Sequence, residues 1–291
     1  MRENIYYDWH RNRALNECHG CPYDQWTEMS DCSFAVHPKG FLVFLRPSQI
    51  AALDVACVDP TSVRRSANVA YHRRRFGVTL ELLRRAGLAE KSAPKVLDVG
   101  CGGADITAEI HKAFPNAEIF ALDCSIRAIE CAVQTHPGIE YSLGDAYDLP
   151  YVEGCFDAVV CNNMWEHVPD PMRFLEGVRK VMKPCGHLVL STPSRYRMSN
   201  LVRVLRGKPV GLMSPKHVTE YTVGQVVEQL RFGGFRIQHV DGRPLRAGGG
   251  GLRGFVKAWL LTPPVELFLK MVGSHHSLAS TVFFLATKTS V

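Results

Sequence analysis

Residues 96–107 read VLDVGCGGADIT. An apolar run from Val96 to Val99 stops at Gly100, and helical spacing resumes with Ile106 and Ile110. Glycines at 100, 102 and 103 let the backbone turn sharply and approach a ligand with no Cβ in the way. The helix after them offers unpaired N–H groups at its start. Strand, glycine turn and helix in this order open a nucleotide-type α/β unit. A dinucleotide fingerprint, G-x-G-x-x-G, would need glycine at 105, where this chain has Asp105. A carboxylate at the helix start repels a pyrophosphate, so a ligand without phosphates is expected there.

Working outward, the pattern repeats. Strands are expected at 117–123, 139–145, 156–163, 186–193, 235–241 and 280–288, besides the first at 95–100. Helices are expected at 105–114, 125–136, 170–182 and 222–235, with a further one at 78–88 ahead of the first strand. Ser125 and Asp170 are placed as N-caps, Pro171 as a first helical residue, and Thr222 with Gln225 as a capping box. The run 156–163 is apolar enough to be buried on both faces. Repeated β–α–β units of this length imply a parallel, doubly wound sheet, with ligands at the carboxyl ends of the strands.

Three consecutive strand ends carry Gly100, Asp123 and Asp145. An acid about 20 residues past such glycines suits ribose hydroxyls, and a second carboxylate can accept from an exocyclic amine. The set fits an adenosine with a small amino-acid tail. These residues resemble the class I S-adenosylmethionine-dependent methyltransferases. VLDVGCGGA resembles the family's first motif, with Ala104 where a third glycine is common; GDAYDLP (144–150) resembles the adenine motif. FDAVVCNNMWEHVPDP (156–171) and VRKVMKPCGHLVLSTP (178–193) resemble the motifs around the fourth and fifth strands. The resemblance covers about residues 90–241 and the final strand. It implies an α/β fold: a Rossmann-like doubly wound seven-stranded sheet, mostly parallel, last strand antiparallel, helices on both faces. It implies S-adenosyl-L-methionine as cofactor, bound by Asp98, Gly100, Cys101, Gly102, Asp123, Cys124, Asp145, Ala146 and Asn162. The expected organisation is an irregular extension over 1–65 and a methyltransferase domain over 66–291, with substrate-side insertions near 194–216 and 242–275.

The stretch CNNMWEHVPDP (161–171) places Glu166 and His167 just past a strand end. KHVTEYT (216–222) resembles the His-x-x-x-Tyr-Thr region of small-molecule and quinone-type methyltransferases, which borders the acceptor pocket. Glu166, His167 and His217 are therefore the candidates for catalysis, as base or acceptor contact. An oxygen nucleophile would want such a base; an activated ring carbon would not. In the ubiquinone-pathway O-methyltransferases a Glu three residues before the Glu-His pair helps to hold a divalent metal. Here that residue is Asn163, a weaker ligand for a hard cation, and no metal is expected. Cys18, Cys21 and Cys32 with His37 could form a zinc tetrad, but the second C-x2-C of a strong signature is missing, and reduced thiols are expected instead.

Composition narrows the partners. Of 291 residues, 46% are hydrophobic and 21% charged, an ordinary globular balance. A net charge of +6 permits an anionic partner without demanding nucleic acid, and the basic run AYHRRRF (70–76) lacks interleaved stacking aromatics. Arg75 is its best-placed residue for a cofactor carboxylate. Residues 194–216 carry six basic residues and no acid, and 254–273 are strongly apolar. Together they suit a small, amphiphilic or lipid-linked acceptor and peripheral contact with a membrane surface; a lid packed on the domain is the plainer reading. The polar start, ten cysteines and lack of a long apolar span point to the cytoplasm, or to the inner face of its membrane. O-methyl transfer is the leading function. A non-catalytic cofactor-binding subunit and an NAD-dependent oxidoreductase on a similar sheet are the alternatives; the oligomeric state is not legible.

Overall fold

The computed structural model describes residues 5–8, 12–14, 19–56, 69–243, 267–268, 271 and 278–289. In chain order the strands are β1 (Tyr7–Asp8), β2 (Arg13–Ala14), β3 (Gly20–Pro22), β4 (Phe34–Val36), β5 (Leu42–Val43), β6 (Lys95–Val99), β7 (Glu118–Asp123), β8 (Glu140–Leu143), β9 (Phe156–Asn162), β10 (Met182–Pro193), β11 (Phe235–Arg243) and β12 (Thr281–Lys288). The helices are α1 (Pro47–Ala56), α2 (Val69–Arg85), α3 (Asp105–Ala113), α4 (Ile126–Thr135), α5 (Pro171–Val181), α6 (Met198–Leu205) and α7 (Val223–Phe232). Local chemistry sets their limits. Ser125 and Asp170 accept N–H groups of the first turns of α4 and α5, and Thr222 and Gln225 form the expected capping box on α7. Pro115 lies just past the end of α3.

The main sheet runs β11-β12-β10-β9-β6-β7-β8-β5-β4-β3. From β10 to β8 all pairings are parallel, and β12 is antiparallel to both β10 and β11. The order reverses between β6 and β9, which makes the gap at their carboxyl ends the switch point of the sheet. Residues of one strand alternate between two cores. Ile119 and Ala121 join a core with Leu82, Ile106 and Ile129 of α2, α3 and α4. Phe120 and Leu122 join a core with Phe174 and Leu230 of α5 and α7. Burial on both faces is what a doubly wound sheet requires.

Ten strands, not the expected seven, make this sheet. The three extra come from the segment read as irregular. Leu42 and Val43 pair in parallel with Ser142 and Leu143, and β4 and β3 extend the sheet beyond them. Val43 is fully buried, and Trp26 Nε1 donates to the Leu45 carbonyl at 2.7 Å. These strands are two or three residues long, too short for alternation to reveal. They cover the edge of β8, which would otherwise offer an open row of backbone groups. The apolar stretch 254–273 lies almost entirely outside the described residues.

Candidate functional site

The first half of the site is the glycine turn after β6. Gly100 has φ +75°, and a Cβ built there would lie 2.8 Å from Met164 Sδ. Gly102 has φ +55° with nothing within 4 Å of a built Cβ, so its surface is open. Ala104 also takes a left-handed φ, +60°, at the start of α3. That conformation costs a residue with a Cβ roughly 1–2 kcal/mol, which explains why glycine suits this place. Cys101 is buried and its N–H reaches Leu122 O at 3.2 Å. Asp98 is buried; Oδ2 accepts from Thr107 Oγ1 at 2.6 Å and Oδ1 has no hydrogen-bond partner among the described residues. Burial, with the Asp123 charge adding and the Thr107 bond opposing, pushes the Asp98 carboxyl up to about 7.

The acids of the next strand ends come next. Asp123 Oδ2 accepts from Gly102 N–H at 2.8 Å and Oδ1 from Ser125 N–H at 2.9 Å, so it clamps the glycine turn to the start of α4. Cys124 beside it is half-buried. Asp145 Oδ1 accepts from Tyr147 N–H at 2.9 Å, with half-buried Ala146 between them. Asp145 also borders a small cavity that Tyr7, Phe44 and Gln49 of the N-terminal segment help to line.

Past β9 the chain lines the other side of the switch point. Asn162 Oδ1 accepts from Thr79 Oγ1 (3.2 Å) and Ser191 Oγ (2.8 Å), while its buried Nδ2 has no partner among the described residues. Asn163 takes φ +52°, which an asparagine tolerates better than most residues, and its Oδ1 accepts from Arg75 Nη2. Arg75 thus reaches the strand end from α2, whereas Arg73 and Arg74 of the same run are exposed. Glu166 sits in a single helical turn, Trp165–His167, and is almost wholly buried. Thr192 Oγ1 donates to its Oε2 at 3.1 Å. Burial lifts its carboxyl to about 7, against the Thr192 bond and the Arg75 charge. The Glu166 carbonyl accepts N–H groups of Val218 and Thr219, which binds this turn to the segment carrying His217.

The tertiary structure brings all three candidates for catalysis together. The rings of His167 and His217 meet edge to face, centroids 5.0 Å apart. Ligand atoms of Glu166, His167 and His217 all lie within 4.8 Å of one another, a span that could hold a small cation. The ring nitrogens are committed on one side. His167 Nδ1 lies 3.1 Å from Lys216 O, and His217 Nδ1 lies 2.7 Å from Glu220 Oε1. Burial, and then the neighbouring His217, hold the His167 imidazole below its usual range. Glu220 and its buried partner Arg197 carry no signal in the sequence; they are 23 residues apart and no motif joins them. His37 is turned away from any tetrad: Nδ1 accepts from Lys39 N–H, Nε2 faces Glu130 at 3.5 Å, and the ring stacks on Phe41. Cys21 and Cys32 are free thiols, and Cys18 lies outside the described residues.

Residues 97–190, which run from β6 into β10, match the family model of a methyltransferase domain. The chain is 28% identical over 162 residues to a ubiquinone biosynthesis O-methyltransferase of Xanthomonas axonopodis pv. citri, covering 53% of this chain and 67% of that relative. The matched domain and these relatives support a class I S-adenosylmethionine-dependent methyltransferase. Two solved structures share the methyltransferase's fold. A Haemonchus contortus N-methyltransferase in complex with S-adenosylhomocysteine aligns with TM-score 0.51 and 16% identity, over 74% of this chain and 53% of that one. The [4+2]-cyclase SpnF aligns with TM-score 0.52 and 18% identity, over 74% and 81% of the two chains. A cyclase on this sheet shows that the fold alone does not name the reaction. S-adenosylmethionine is this methyltransferase's cofactor; the nicotinamide alternative is set aside. Among the described residues no helix is long and apolar enough to cross a membrane.

Proposed function

We propose that this methyltransferase acts on a hydroxyl of a small, amphiphilic acceptor. The observation that carries this reading is the convergence of Glu166, His167 and His217 next to the strand end that bears Asn162. The cofactor fits the residues beside it on chemical grounds. The lone Asp98 Oδ1 and Asn162 Nδ2 are a buried acceptor and a buried donor, complementary to the ammonium and carboxylate of an amino-acid tail. Gly100, Cys101 and Gly102 would offer backbone at close range, Asp123 and Cys124 would face the ribose, and Asp145 and Ala146 the adenine. Arg75 stands beside Asn163 with a cation for the tail.

When bound, S-adenosylmethionine supplies an electrophilic methyl group to which the acceptor oxygen bonds as the carbon–sulfur bond breaks and its electron pair stays on sulfur. The chain's own part is to align the acceptor and to take its proton. The amphiphilic character of the acceptor is supported by α6. Leu201, Val204 and Leu205 are exposed, the last at 77%, and Arg203, Arg206 and Lys208 stand among them. The curated relative named for ubiquinone biosynthesis acts, by that name, in making an apolar quinone.

Calorimetry should show binding of S-adenosylhomocysteine and none of NAD. Labelled-methyl transfer to a panel of phenols, quinols, polar catechols and amines should favour the hydroxyl acceptors with apolar tails. Transfer only to amines, or to none of the panel, would sink the hydroxyl reading. Flotation with anionic vesicles tests surface contact separately.

A further inference from the structure

We infer that Glu220 sets the tautomer of His217 and so makes His217 Nε2 the proton acceptor of the reaction; this rests on the hydroxyl reading above. Glu220 is fully buried two residues before the cap of α7. Its Oε1 faces His217 Nδ1 at 2.7 Å and accepts the Met213 N–H; its Oε2 accepts a guanidinium N–H of Arg197. Arg197 is itself buried and donates also to Ser194 O and Gly211 O. A carboxylate already accepting from a guanidinium and a backbone amide has only lone pairs to offer. His217 Nδ1 must therefore carry a proton, and the lone pair of the neutral ring lies on Nε2.

His167 reaches the same tautomer through a different partner. Its Nδ1 faces the carbonyl oxygen of Lys216, which also only accepts. The two rings differ once they are protonated. An imidazolium at His217 is held by a carboxylate, whereas one at His167 would face a neutral carbonyl. Hydrogen bonds between charged partners are roughly twice as strong as neutral ones. Glu166 is almost wholly buried, and its Oε2 is occupied by Thr192, so it is enclosed more than either ring. In the step, the acceptor O–H proton passes to His217 Nε2 while the acceptor oxygen bonds to the methyl carbon and the carbon–sulfur pair stays on sulfur. The imidazolium then returns the proton to water. Glu220 touches no reacting atom; it is a positioning residue.

The test is a long-range proton–nitrogen correlation spectrum of histidine-labelled full-length protein, with the His217 signals assigned through His217→Asn. The wild type should show His217 as the Nδ1–H tautomer. In Glu220→Gln, Arg197 claims the amide oxygen and turns the NH2 towards His217, so the tautomer should switch to Nε2–H. Turnover should then fall about 10²–10⁴-fold, as when a base loses its orienting acid. The dissociation constant for S-adenosylhomocysteine should stay within about threefold, since Glu220 lies off the cofactor residues. Glu220→Asp should restore the Nδ1–H form and part of the turnover. If Glu220→Gln alone does not fold, the double variant Arg197→Met/Glu220→Leu replaces the buried pair together and leaves His217 Nδ1 without its acceptor, so the Nδ1–H preference and the turnover should both be lost. A wild-type ring in the Nε2–H form overturns the inference. So does a folded variant with a switched tautomer and full turnover. Turnover abolished by EDTA and restored by a divalent cation overturns it as well, because Nε2 would then be a ligand. A wild-type protein that binds S-adenosylhomocysteine but methylates no hydroxyl overturns the reaction reading and the proton-acceptor role with it; the spectrum still decides the tautomer.

Discussion

Asp98 shows how one residue can carry opposite demands. Its carboxyl is buried with one oxygen unpartnered among the described residues, and it is raised to about 7. A folded-state value above the unfolded one, here a usual carboxylate value, means that the native state holds the proton more tightly. Stability of the cofactor-free protein should therefore fall as pH rises from about 4 to about 7. Asp98→Asn keeps an acceptor for Thr107 and removes the buried charge. It should raise the melting temperature of the cofactor-free protein at pH 8 by a few degrees, a gain of about 1–3 kcal/mol, and flatten that pH dependence. The same change should weaken S-adenosylhomocysteine binding at least about tenfold, the cost of losing a charged partner for the ammonium. A variant that binds as tightly as wild type by calorimetry would remove Asp98 from the cofactor residues. Gly100 was legible for a related reason. Only glycine meets both a φ of +75° and the nearness of Met164 without strain. Gly100→Ala should cost about 1–2 kcal/mol in urea unfolding.

At the scale of the element, helix ends were the most legible features. Ser125, Asp170 and Thr222 cap the helices where side-chain chemistry placed them, because a cap is a contact within three residues. Thr222→Ala should cost about 1 kcal/mol by removing the acceptor of the Gln225 N–H, while the Thr222 backbone N–H still reaches Gln225 Oε1. It should also lower turnover, because Thr222 starts α7 only two residues after Glu220. Unchanged turnover in a protein destabilised by that amount would show that the cap and the His217 segment are not coupled. Short strands behaved in the opposite way. β3, β4 and β5 have two or three residues each, and pairing in succession outward from β8, not their own pattern, makes them strands.

For the whole molecule, the N-terminal strands change what the sheet edge exposes. Val43 is wholly buried where β5 meets β8. Val43→Asp places an unpaired charge in that core and should cost about 3 kcal/mol or more, with aggregation on heating as the β8 edge opens. Scanning calorimetry with light scattering checks both. An unchanged melting temperature would mean that the domain does not depend on this edge.

The doubly wound order, the strand ends at Gly100, Asp123 and Asp145 and the helix caps were all written in local patterns: period-two and helical spacing, glycine turns and cap residues. Their signals lie within a dozen residues of chain, where backbone geometry dictates the chemistry. The added strands on β8, the Arg75 contact at Asn163 and the meeting of Glu166, His167 and His217 were decided only by tertiary structure. So was the Arg197–Glu220–His217 chain of hydrogen bonds. Each joins residues far apart in sequence through burial and a shared hydrogen bond, and neither spacing nor composition records which distant partner a buried polar group will find.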